Sequence, residues 1–180
     1  MSSLAKKICG VAGVVALFAV GILTLFVQNS HQDPRTDIVT LKQDVRNLAA
    51  ITHPGLAPMR STVDLFQPTN KLSRAAFRTR VRRLVRNGLR TFPAARRRLA
   101  ELRLSSPLTR KMRDIDVNLF RDLEAAYRRV SPTLRAGGAY RIVRFADDVN
   151  RAQARFRATF GKLTYTDREA EAVVSVAGGS

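Results

Sequence analysis

Catalytic and metal sites are assembled from histidine, cysteine, paired carboxylates and glycine-rich turns, and this sequence holds few of these in usable arrangements. Its two histidines, His31 and His53, both stand in proline-flanked connectors, with no second ligand at the i, i+4 spacing of a helical metal site. One cysteine, Cys9, excludes an intramolecular disulfide and a multi-thiolate zinc site. Neither G-x-x-x-x-G-K-[ST] nor G-x-G-x-x-G occurs, and Gly137-Gly138 ahead of a helical pattern reads as a hinge. Asp147 and Asp148 are adjacent, hence on different sides of a helix, and are expected to pair with Arg144 and Arg151 rather than to do acid-base work. No serine stands in a recognised nucleophile motif. The expectation is a non-enzyme with no catalytic residue, cofactor, metal or small-molecule substrate.

The chemistry that is abundant is cationic. The chain has 180 residues, with 32 Lys and Arg against 14 Asp and Glu, a formal charge of +18. Arginine supplies 26 of the cations and lysine 6. Guanidinium is planar, weakly hydrated and suited to paired bonds with carboxylate or phosphate, so this bias points to an anionic partner. Between Arg74 and Arg113 stand 13 Arg and one Lys against one acid, Glu101, a net +13. Arg74, Arg78, Arg82, Arg86 and Arg90 form an i, i+4 ladder, and Arg96, Arg97 and Arg98 follow. These eight are the candidate contacts for an anionic partner or lipid. Like charges four apart on a helix repel by about 0.2–0.5 kcal/mol per pair. The plain structural alternative is that Asp114, Asp116, Asp122 and Glu124 of the next helix neutralise the ladder. Three external acceptors fit: acidic subunits of a membrane assembly, cardiolipin-like anionic lipid, and RNA phosphate. Phe77, Phe92, Phe120 and Tyr127 fall on apolar faces, which argues against single-strand base stacking.

The elements that position these residues read as all-α: one N-terminal transmembrane helix followed by a small, strongly basic bundle of three to five helices. After a flank over 1–7, residues 8–27 run 20 positions without a charge, about 30 Å as a helix, which predicts a membrane span. Cys9, Ala12, Gly13, Ala16 and Ala19 give that helix a small packing side. A connector over 28–72 holds an amphipathic helix over about 36–51, with Ile38, Leu41, Val45 and Leu48 in phase, and then an extended loop containing Pro54, Pro58 and Pro68. The basic domain occupies 73–161. Ser73 caps a first helix that ends at Phe92-Pro93, and a second begins beyond it. Ser106-Pro107 opens the longest apolar period, Leu108 to Val130, with a turn at Ser131-Pro132. A last helix runs from Ala139 to Phe160, stopped by Gly161. Residues 162–180 read as a mildly acidic tail or docking peptide.

Together these features predict a non-catalytic, single-pass accessory subunit that scaffolds a large membrane complex. Arginine enrichment with little acid resembles the composition of mitochondrially imported proteins, which suggests the inner membrane and the respiratory chain or ATP synthase. The alternatives are a membrane-tethered RNA-binding protein, such as an organellar ribosome component, and a bacterial envelope protein with an N-terminal anchor.

Overall fold

A computed structural model describes residues 37–67, 69–136 and 140–177, which form six helices. In chain order they are α1 (Ile38–Gly55), α2 (Ala57–Leu65), α3 (Arg74–Glu101), α4 (Pro107–Ala136), α5 (Tyr140–Phe160) and α6 (Asp167–Ala177). The expected transmembrane helix over 8–27, with Cys9, Ala12, Gly13, Ala16 and Ala19, lies outside the described residues. Among the described residues no helix is long and apolar enough to cross a membrane. The fold class is therefore corrected from a membrane helix plus a bundle to an all-helical bundle. The physical reason is visible in α3, α4 and α5: one stripe of each is buried and the opposite stripe carries charge, so none of them is apolar all round over a membrane's thickness.

Helix starts follow local capping chemistry. The Asp37 carboxylate accepts the Val39 N–H at 3.0 Å and opens α1, and Ser73 Oγ accepts the Ala76 N–H at 3.2 Å and opens α3. Ser106 Oγ accepts from the Leu108 N–H, with Pro107 in the first turn of α4. Before α6, Thr166 and Glu169 form a reciprocal capping box: the Glu169 carboxylate accepts the Thr166 N–H at 2.8 Å, and Thr166 Oγ1 accepts the Glu169 N–H at 3.2 Å.

The prolines break fewer helices than their spacing suggests. The stretch expected as an extended loop is largely helical: Pro58 sits in the first turn of α2, where a missing N–H costs no intrahelical bond, and Pro54 sits in the last turn of α1 at the cost of one backbone bond. Pro93 does not divide α3, nor Pro132 α4. In α3, Phe92, Ala95 and Leu99 are all buried around Pro93, and burial of that stripe outweighs one lost backbone bond. Residues 167–177, expected as tail, form α6 and pack on α1.

Two apolar clusters hold the bundle. The larger joins the second half of α1, α2, α3, α4 and α5, with α4 lying along both α3 and α5. Edge-to-face ring contacts run through it from Phe77 to Phe66, Phe145, Tyr127 and Phe92, with Tyr127 and Phe92 centroids 4.7 Å apart. The Tyr127 and Thr62 hydroxyls bond to each other beside the Pro58 carbonyl, so the buried phenol keeps a polar partner on α2. The smaller cluster joins Leu41 and Val45 of α1, Leu108 and Ile115 of α4, Phe160, Leu163, Tyr165 and the inner face of α6. Met112 and Phe156 touch both clusters, which tie segments before residue 73 and after residue 161 to the helices between them.

Candidate polyanion-binding face

Helix α3 carries ten arginines and one acid, Glu101, in 28 residues. Its buried stripe is Val81, Val85, Gly88, Phe92, Ala95 and Leu99. At about 100° per residue, an i, i+4 ladder drifts roughly 40° around the helix at each step, so the five ladder arginines cannot share a face. The burial pattern follows that drift. Arg78 is half-buried at the edge of the core stripe, while Arg74, Arg82, Arg86 and Arg90 are exposed. Arg82 is turned sideways: its Nε and Nη2 donate to the Leu134 carbonyl near the end of α4, at 3.2 and 2.9 Å. A cation there satisfies a carbonyl of the last helical turn and meets the negative end of the helix dipole.

The residues that share the outward face are Arg83, Arg86, Arg90 and Arg97, spaced three, four and seven apart. They fall within about 60° of one another and opposite the core stripe. All four are exposed, and none has an ion pair or side-chain hydrogen bond among the described residues. Arg80 and Arg98 flank this stripe and are exposed. Arg96 is half-buried, 3.5 Å from the Glu124 carboxylate, and Arg97 and Arg98 point outward. Of the eight candidates read from sequence, Arg82 is thus engaged by a carbonyl and Arg96 by a carboxylate, and half-buried Arg78 also has a partner of its own. Arg83 was missed. Its signal was the three-four-seven spacing, which holds one face where the four-residue ladder does not.

The carboxylates explain why the stripe stays unpaired. Eight of the 14 acids accept bonds elsewhere. Asp37 caps α1, where the Thr40 hydroxyl and the Val39 N–H hold its carboxyl below the usual range. Asp44, on α1 and buried, accepts the Ser105 and Ser106 N–H groups and the Thr109 hydroxyl at 2.8 to 3.0 Å, closing the start of α4 from outside. Asp114 pairs with Arg113, and Asp122 with Arg155 of α5 at 3.0 Å. Glu124 pairs with Arg128 and Arg96. Asp148 pairs with Arg129 and Arg151; burial pushes its carboxyl up, and the two guanidiniums overcome this and hold it below the ordinary value. Glu169 serves the capping box.

Asp116 is buried between α4 and α1. Loss of water raises its carboxyl to about 7, against which the Thr52 hydroxyl, 3.0 Å away, acts weakly. Among the described residues Glu124 is the acid that reaches an α3 arginine, so α4's four carboxylates do not neutralise the ladder. The expected pairing of Asp147 with Arg144 is absent among the described residues; Asp148 takes Arg151 as expected, together with Arg129.

His31 and Cys9 lie outside the described residues. His53 stands in the last turn of α1, and Arg60 of α2 is within 3.0 Å of its Nε2 and donates to its carbonyl. Among the described residues no group of three His, Cys, Asp or Glu is placed to hold a metal ion. No family, curated protein or solved structure matches this chain.

Proposed function

We propose that this chain is a non-catalytic docking subunit, a small helical bundle that binds anionic groups of a larger assembly through the arginine face of α3 and braces that assembly. The observation that supports the reading is the uneven use of charge. Eight of the 14 acids are committed to caps, to buried hydrogen bonds and to pairs on α4 and α5, while Arg83, Arg86, Arg90 and Arg97 stand exposed in a row without counter-charge among the described residues. Arginine is the cation best matched to bidentate anion recognition. Such a surface is left in a costly state until an anion covers it. The organellar setting belongs to this same proposal, supported by the arginine enrichment, and is checked by fractionation of the tagged full chain.

Extraction at low salt should return the chain in one stoichiometric high-mass assembly. Replacing Arg83, Arg86, Arg90 and Arg97 by Gln should release it while leaving its circular dichroism spectrum unchanged. A monodisperse monomer at low salt overturns the reading.

A further inference from the structure

Resting on that reading, we infer that the partner met by the Arg83–Arg86–Arg90–Arg97 stripe of α3 is the phosphate backbone of a nucleic-acid duplex, bound without base specificity. Charge alone does not separate nucleic acid from lipid or acidic protein; the surroundings of the charge do. A helix that lies on a membrane surface keeps an apolar face to insert between headgroups. The apolar face of α3 is consumed inside the bundle, where Val81, Val85, Phe92 and Leu99 are each at most 2% exposed. A stable protein interface gathers its energy at buried aromatic or aliphatic anchors. The exposed large hydrophobics of the described residues are Val39, Leu72 and Val143, and none of them lies on α3.

What the outward side of α3 offers is donors: the four stripe arginines, with exposed Thr79 and Asn87 among them, and no acid before Glu101. Nucleic-acid interfaces are the class that binds through positive charge and hydrogen-bond donors, with half to two-thirds of the bonds going to phosphate and sugar.

The dimensions agree. From Arg83 to Arg97 the helix rises about 21 Å, the axial length of roughly six phosphates on each strand of a B-form duplex. An α-helix with side chains is about 10–12 Å across, matching a major groove about 12 Å wide. Single strands are bound by stacking bases on exposed rings. Here Phe66, Phe77, Phe92, Phe120, Tyr127 and Phe145 are buried or half-buried within the bundle. Recognition therefore falls on a backbone already held in register by its complementary strand.

The test is fluorescence anisotropy of the full-length chain against labelled DNA and RNA duplexes of about 20 base pairs, which exceed the reach of the stripe. The same strand alone and vesicles containing phosphatidylglycerol are titrated in parallel. The wild type should bind a duplex more tightly than the single strand, and log K should fall linearly with log salt. Arg83→Gln, Arg86→Gln, Arg90→Gln and Arg97→Gln combined should lose at least about tenfold in affinity and lower the magnitude of that slope by about three to four, one per phosphate contact removed. A control with the same loss of charge, Arg46→Gln, Arg121→Gln, Arg144→Gln and Arg157→Gln on α1, α4 and α5, should keep most of the affinity.

Equal losses in the two variants overturn the assignment to α3. Binding to vesicles or to the single strand in preference to duplex overturns the partner class. If duplex binding is absent while the stripe variant still drops out of a nuclease-resistant assembly, this inference fails and the docking reading stands. If the stripe variant changes neither, both fail.

Discussion

Asp116 and Asp44 show how differently one residue type behaves at two buried places. Asp116 has one weak donor, Thr52, and loses its water, so its carboxyl holds a proton up to about pH 7, whereas in an unfolded chain an aspartate releases it near about 3.9. Between those values the folded state binds the additional proton. The stabilisation from this group is therefore complete below the unfolded value and is lost as pH rises through 7. The wild type should melt at a lower temperature at pH 8 than at pH 5. Asp116→Asn, which needs no proton, should be flatter over that interval and several degrees more stable at pH 8, read by thermal melts at fixed ionic strength; a variant as steep as the wild type refutes this. Asp44 faces three donors at once, and replacing it by Ala leaves the Ser105 and Ser106 N–H groups and the Thr109 hydroxyl without an acceptor. Asp44→Ala should cost about 2 kcal/mol or more in urea unfolding, with Asp44→Asn recovering part of the loss.

At the scale of elements, α3 has two sides with opposite tolerance. Gly88 faces Tyr127, and a Cβ there would stand 2.4 Å from that ring, which is itself wedged edge-on between Phe92 and Phe145. In an open helix Gly→Ala gains about 1 kcal/mol, yet Gly88→Ala should lose about 1–3 kcal/mol because no ring has room to retreat. The sign of that change in a denaturant titration is the check. On the other sides, Arg82 and Arg83 are neighbours in sequence with different duties. Arg82→Gln removes the guanidinium from the Leu134 carbonyl and should lower the melting temperature, whereas Arg83→Gln removes only repulsion and should leave it equal or higher. Equal effects of the two substitutions would contradict the placement of Arg82.

For the whole molecule the governing quantity is +18 on 180 residues. Self-repulsion on this scale opposes compaction, and salt shortens its range to about 10 Å at 0.1 M. The melting temperature of the full chain should therefore rise between roughly 0.02 M and 0.3 M NaCl, in the same range over which duplex affinity falls. Opposite salt responses of stability and binding mark one charge distribution acting on two equilibria. A melting temperature that falls with salt would show that the ion pairs of α4 and α5 outweigh the unpaired arginines.

Helical periodicity in the sequence was enough to place the apolar stripes of α1, α3, α4 and α5, the caps at Ser73 and Ser106 and the basic character of α3, because these depend on residues within a turn or two of one another. The capping box at Thr166–Glu169 was legible in the same local way and went unread. Whether Pro93 and Pro132 would stop helices was not a local matter: it depended on the apolar surface that neighbouring helices offered around them, which outweighs one missing N–H. Nor could spacing alone say which arginines would remain unpaired. That depended on where α4 and α5 carried their carboxylates and on the Leu134 carbonyl meeting Arg82, contacts between residues dozens of positions apart. Charge density is a property of the chain; the direction in which it faces is decided by packing.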